Sequence, residues 1–235
     1  MYRTFGKRLL DLALVIPALI LLLPVMLLVA LLIWRKMGAP VIFYQERAGF
    51  HGKPFKIYKF RTMTNACDAQ GRPLPDHQRI TPLGRFLRST SLDELPQLFN
   101  VLRGEMSLIG PRPLLVKYLD RYSPEQARRH NVRPGIAGLP ALFGRSEQSW
   151  DDILARDVWY VDHLSFWLDL KIIVGTLLVV LKRDGVARSA DGFVPEFTGS
   201  SVPCVEEPVV LSTPTPPAPA LVMTLTHESD RSVTV

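Results

Sequence analysis

The chain of 235 residues contains only two cysteines, Cys67 and Cys204. They lie far apart in loose-looking segments, which excludes a disulfide framework and a cysteine-based metal site; both read as reduced thiols of a cytoplasmic setting. Acidic residues are outnumbered, 22 Asp and Glu against 28 Lys and Arg, for a net charge of +6. Such a balance points to anionic partners: nucleic acid, a bilayer surface or phosphate-rich small molecules. No recognisable nucleic-acid module occurs, so no nucleic-acid partner is expected. The length leaves room for one domain and an apolar segment, hardly for two full domains.

What the chain does have is one long apolar run, Leu12 to Ile33, preceded by Arg3, Lys7 and Arg8 and closed by Arg35 and Lys36. As a helix it would reach about 33 Å, enough to cross a hydrocarbon core. It is too long for the apolar part of a signal peptide, and no small-residue cleavage site follows it. Basic residues at both ends give no orientation, and Pro17 and Pro24 interrupt the helix. A kinked span and a re-entrant hairpin bent near Pro24 both satisfy these residues.

The stretch from Ser91 to Pro113 packs chemistry and punctuation together. Leu95, Leu98, Phe99 and Leu102 fall at helical spacing and Pro96 suits only a first turn, so the spacing predicts a helix from about Asp93. Asp93 and Glu94 then sit where the helix dipole favours ionised acids and bound anions. Ser91 with Glu94 three residues later reads equally as a capping box. Arg85 and Arg88 share one side of the short helix before the pair, and Arg88 suits a clamp on a phosphate. Gly110-Pro111-Arg112-Pro113 locks Arg112 in a rigid turn, ready for a bidentate grip on phosphate, or is an ordinary turn with a surface arginine.

Asp93-Glu94-Leu95-Pro96-Gln97-Leu98, Asn100-Val101-Leu102, Gly104, Met106-Ser107 and Gly110-Pro111-Arg112-Pro113 together resemble the signature of the bacterial sugar transferases. These are the monotopic phosphoglycosyl transferases that start glycan assembly on a polyprenyl phosphate. Lys53 to Met63, Val132 to Gly138 with Gly144-Arg145, and Asp157 to Val161 with Asp169 resemble further blocks of the family, over roughly the first 185 residues.

The resemblance implies a two-step transfer of a sugar 1-phosphate from a UDP-sugar to undecaprenyl phosphate, with release of UMP, at the cytoplasmic face of a bacterial inner membrane. Asp93 would be the nucleophile and a ligand of Mg²⁺, and Glu94 its neighbouring acid/base. Arg112 and Arg145 would contact phosphate or nucleotide, and Asp157 would support the metal or phosphosugar site, unless it merely pairs with Arg156 or another base. Arg88 would hold lipid or substrate phosphate. Lys7 and Arg8 match a Lys-Arg pair near lipid headgroups, on a proline-broken re-entrant helix. Leu23 stands where a serine is expected, and Pro140-Ala141-Leu142-Phe143 replaces amides typical of relatives, which bears on donor preference.

With the resemblance, the expected fold class is α+β and helix-rich, a single cytoplasmic catalytic domain with an N-terminal re-entrant membrane helix. Residues 1–36 are the membrane helix, 37–185 the catalytic domain and 186–235 a disordered Pro-rich tail. Val41 to Met63 reads as a hairpin turning at Gly49 to Gly52, its lysines given structural or membrane-surface duty. Tyr118 to His130 is helix-compatible, its terminal Arg128-Arg129-His130 explained by dipole pairing. Two rival functions stay open: a non-catalytic anchored organiser of a glycan assembly complex, and a membrane-bound nucleotide-sugar pyrophosphohydrolase that hands the phosphosugar to water.

Overall fold

In the computed structural model, which describes residues 2–143, 149–182 and 196–199, the apolar run forms helix α1, Lys7–Met37. The helix continues through Pro17 and Pro24. Each proline removes one amide from the ladder, and the flanking rungs keep the helix intact. By length and composition α1 is apolar enough to cross a membrane.

Its packing decides where it lies. Before Pro24, Val15, Leu19 and Leu22 join a core with Ile57, Leu98, Val101 and Met106; beyond it, Met26, Val29 and Ile33 join Phe60 and Leu87. At the start of α1, Lys7 is buried with Nζ 2.7 Å from Asp169 Oδ2. Arg8 donates to the carbonyls of Val101 (2.5 Å) and Leu102 (2.9 Å), and Asp11 accepts from Ser107 Oγ and Leu108 N, both at 3.0 Å. At its end, the buried Arg61 donates to the carbonyls of Met37, Gly38 and Ala39. Both ends and both halves of α1 therefore rest on the same body. Its far side, with Ile16, Ile20, Leu21, Leu27, Leu28 and Leu31, stays exposed and wholly apolar.

These contacts correct one expectation. Lys7, expected near headgroups, is instead turned into the protein, since an unpaired buried ammonium is costly and it takes a carboxylate; Arg8 is tied to two backbone carbonyls, of which Val101 O also accepts from Gly104 N at 2.9 Å.

The expected hairpin forms from β1, Ile42–Ala48, and β2, Pro54–Phe60, antiparallel from Ile42 opposite Phe60 to Ala48 opposite Pro54. A short helix α2, Asp76–Arg79, leads to α3, Pro82–Ser89, started by the Thr81 side chain accepting from Gly84 N. Gly84 is required there, since a Cβ would lie 1.9 Å from the Thr62 carbonyl oxygen. Helix α4, Gln97–Arg103, ends on Gly104 in the left-handed region, and β3, Ser107–Ile109, follows. The fully buried Asn100 zips α4 to β2: its Oδ1 accepts from Tyr58 N (3.2 Å) and its Nδ2 donates to Lys56 O (2.7 Å).

The Tyr118 to His130 segment is three pieces, not one helix: a 3-10 turn Val116–Arg121, the capping-box helix α5, Pro124–Ala127, and a 3-10 turn Arg128–Asn131. Pro124 can only begin a helix, and that resets the chain. Strand β4, Gly135–Ala137, pairs parallel with β3. Helices α6, Trp150–Asp162, and α7, Phe166–Lys182, complete the set. Among the described residues the result is helix-rich with two small two-stranded sheets. The chain divides into compact units of residues 1–201 and 202–235, and every described residue lies in the first.

Within 186–235, expected as a disordered tail, Glu196–Gly199 is described and docked. Phe197 is buried against Tyr118 and Leu154, because a large aromatic ring gains from leaving water for an apolar niche.

Candidate active site

Between α3 and α4 the backbone turns sharply at Ser91, whose φ of 57° places a non-glycine residue in the left-handed region. Leu92–Glu94 follows as one 3-10 turn, and Pro96 is the N-cap of α4. The helix thus begins later than the apolar spacing predicts, and no capping box forms on Ser91, whose side chain makes no cap hydrogen bond. Left-handed conformations occur at a small cost and gather at functional sites. Here the turn carries Asp93 inward, where it is buried.

The two acids then take opposite roles. Glu94 Oε1 accepts from Lys59 Nζ at 2.7 Å and from Arg112 Nη2 at 2.6 Å. Burial opposes its ionisation, but the charges of Arg112 and Lys59 and their hydrogen bonds outweigh it and hold the carboxyl well below the usual range. Asp93 accepts no side-chain hydrogen bond from any described residue. Burial and then the charge of Glu94 push its carboxyl up, against the pull of Lys59, Arg88 and Arg112. The dipole of α4 is not what governs the Asp93 carboxyl: the turn lies ahead of the helix, and desolvation is the leading influence on it.

Three cations from three elements therefore act on one carboxyl that no described side chain pairs. Lys59 comes from β2, Arg88 from α3, and Arg112 from the turn after β3. Arg88 is oriented by Nε donating to Thr62 Oγ1 at 3.1 Å, which the close approach at Gly84 makes possible. Lys59 was missed as a site residue, yet its place is readable: it shares the face of Ile57 two residues before it, and that face is buried. Among the described residues no group of three His, Cys, Asp or Glu side chains could hold a metal. The free carboxyl of Asp93 fits Mg²⁺ of the kind held by one protein carboxylate, substrate phosphates and water.

Asp157 does not reach the acids. It is buried in an ion pair with Arg129, Nη2 to Oδ2 2.6 Å, so the base it pairs with is neither Arg156 nor on its own helix. The same Arg129 Nη2 donates to the Arg112 carbonyl at 2.8 Å. Asp157 and Arg129 thus support the site through the Arg112 backbone; Arg129, although in the last turn of Arg128–Asn131, is buried and spends its charge on Asp157. Arg145 lies outside the described residues.

The model of the bacterial sugar transferase family matches residues 2–183. The chain is 49% identical over 194 residues to the sugar transferase EpsL of Bacillus subtilis, covering 83% of this chain and 96% of EpsL. It is 40% identical over 201 residues to the undecaprenyl-phosphate galactose phosphotransferase of Salmonella typhimurium, covering 77% of this chain but only 41% of that longer protein. It is likewise 40% identical over 190 residues to the UDP-glucose:undecaprenyl-phosphate glucose-1-phosphate transferase of Caulobacter vibrioides, 76% of this chain and 70% of the relative. The chain belongs to the bacterial sugar transferase family of enzymes.

Proposed function

We propose that the chain transfers a sugar 1-phosphate from a UDP-sugar to undecaprenyl phosphate, through a phosphosugar ester on Asp93, and so initiates assembly of a membrane glycan. The observation that carries this reading is the contrast between the two acids: Glu94 Oε1 holds two cations, while Asp93 is buried and accepts no side-chain hydrogen bond from any described residue, beside Lys59, Arg88 and Arg112. A nucleophile must keep its lone pairs free, and a pyrophosphate approaching it needs positive charge waiting.

In the first step an Asp93 oxygen forms a bond to the β-phosphorus, and the bond from that phosphorus to the bridging oxygen breaks, releasing UMP. In the second, an oxygen of the lipid phosphate attacks the same phosphorus and Asp93 is set free. Arg112, Lys59 and Arg88 offset the charge of the phosphoryl oxygens and leaving group. Mg²⁺, held by Asp93 together with substrate phosphates, would supply further neutralisation. Glu94, fixed as an ionised carboxylate, anchors Lys59 and Arg112. The names of the Salmonella and Caulobacter relatives support the donor and acceptor classes.

Both ends of α1 bind one body, which supports a monotopic anchor that enters and leaves one leaflet, with the catalytic domain on the cytoplasmic face of the inner membrane. The site then lies level with the lipid phosphate. Incubating the protein with Mg²⁺ and a panel of UDP-sugars, with and without undecaprenyl phosphate, tests the reading. Lipid-dependent UMP release with a lipid-linked product supports it; steady lipid-independent release assigns a pyrophosphohydrolase, and no release assigns an organiser.

A further inference from the structure

The family match ends at residue 183, yet a segment beyond it is built into the domain that carries the site. Phe197 is 1% exposed. Its ring stacks on Tyr122 (centroids 5.5 Å apart, planes at 26°), meets Tyr118 edge-on at 5.6 Å and lies 5.5 Å from Trp150. Polar contacts fix the backbone around it. Phe197 N donates to the Tyr118 hydroxyl at 3.4 Å, and Arg121 donates to the Phe197 carbonyl. Glu196 Oε1 takes Lys117 Nζ at 2.7 Å and Arg121 Nη1 at 2.9 Å.

The residues around this ring lead to the active site from two directions. Tyr122, stacked on Phe197, accepts at its hydroxyl from Arg129 Nη1 at 3.4 Å, and Arg129 holds both Asp157 and the Arg112 carbonyl. Leu114 and Leu115, two and three residues after Arg112, pack into the same apolar cluster as Phe197, as does Leu154, one turn before Asp157 on α6. Without the ring, Tyr122 loses one face and the chain leaving the Gly-Pro-Arg-Pro turn loses its floor.

We infer that Glu196–Gly199 is a strap that wedges Phe197 behind the Arg112 turn, making Phe197 a positioning residue for the transfer although it lies outside the family domain. The inference rests on the reading that Arg112 serves phosphosugar transfer. A loop arginine has many rotamers, and only a rigid backbone lets one guanidinium hold Glu94 and meet a phosphate in the same place each cycle.

The test uses the full-length protein with Mg²⁺, undecaprenyl phosphate, and UDP-glucose, UDP-galactose or UDP-N-acetylglucosamine as donor. Phe197→Ala is expected to lower kcat at least tenfold with donor KM within about twofold, and Phe197→Leu, which refills the niche, to recover to within about threefold. Glu196→Lys, which loosens the strap at the surface without opening a cavity, is expected to fall between them. Hydrogen exchange should rise at Val116–Arg121 and Arg128–Asn131 in Phe197→Ala and stay unchanged in α3. Wild-type kcat in Phe197→Ala, or a loss that Phe197→Leu fails to rescue, overturns the inference. Should Phe197→Ala fail to fold, wild-type kcat in Glu196→Lys overturns it. If the unaltered protein turns over none of the donors, the transferase reading fails by itself. The exchange arm then still decides the strap: unchanged protection at Arg128–Asn131 refutes it.

Discussion

Arg112 reaches over the site to Glu94, its Nη2 2.6 Å from Oε1, and among the described residues no side chain donates to the neighbouring Asp93. The same Glu94 oxygen holds Lys59 at 2.7 Å. One acid thus organises the cations, and on the proposed reading the other is kept for chemistry.

Glu94→Gln keeps the shape and removes the charge that gathers Lys59 and Arg112. Each ion pair becomes a weaker bond from a cation to a neutral amide oxygen, and the rate of UMP release is expected to fall about a hundredfold. Arg112→Lys should fall comparably, because an ammonium cannot reproduce the planar fork. Steady-state kinetics on both variants check this; wild-type rates in either would remove Glu94 from its organising role.

The pair between Lys7 and Asp169 spans 162 residues of sequence and is buried, with Asp169 also accepting from Tyr2 (2.6 Å) and Tyr160 (2.7 Å). Lys7→Met leaves that carboxylate uncompensated, at a cost of about 3–5 kcal/mol. The double variant Lys7→Met with Asp169→Asn is expected to be more stable than Lys7→Met alone. Denaturant melts compare them; additive losses would mean that the two side chains act independently.

His130 is buried with Nδ1 3.2 Å from the Gly49 carbonyl oxygen, and burial, with the charge of Arg129 behind it, lowers its pKa from 6.5 to about 4. The folded protein therefore keeps the ring neutral where the unfolded chain protonates it. Above pH 6.5 both states are neutral and nothing is lost; as pH falls from about 6.5 to about 4, stability declines by at most about 3 kcal/mol, and this contribution is flat below. In His130→Leu that part of the acid slope should vanish, which stability curves at pH 7 and pH 5 would show. An unchanged difference between the two pH values contradicts it.

A monotopic α1 places Thr4 and Lys36, both exposed at its two ends, on one side of the bilayer. With Cys67 and Cys204 replaced by serine, single cysteines at either position should react with an impermeant maleimide only in inverted vesicles. Opposite accessibility of the two would establish a span.

Much of the site was legible because its parts are local. The acid pair, the locked arginine turn, the β1–β2 hairpin and α3 each follow from residues within a few positions of one another. The partners of the charges were not. Spacing places Lys7 on a helix, but nothing near it announces Asp169, and Asp157 finds Arg129 28 residues upstream rather than Arg156 beside it. Long-range pairs are chosen by burial, because an ion carried into the core must take whichever opposite charge the fold delivers. Phe197 escaped for a different reason: a compositional reading averages over the Pro-rich tail, and a single ring has no period to detect.

Intact mass of the full-length protein after brief incubation with Mg²⁺ and a turned-over UDP-sugar, in the absence of lipid acceptor, tests the central claim most directly. The account predicts an added phosphosugar mass on the unaltered protein, discharged by undecaprenyl phosphate and absent in Asp93→Asn. Lipid-linked product formed by Asp93→Asn at the normal rate, with no adduct at any time point, would contradict it.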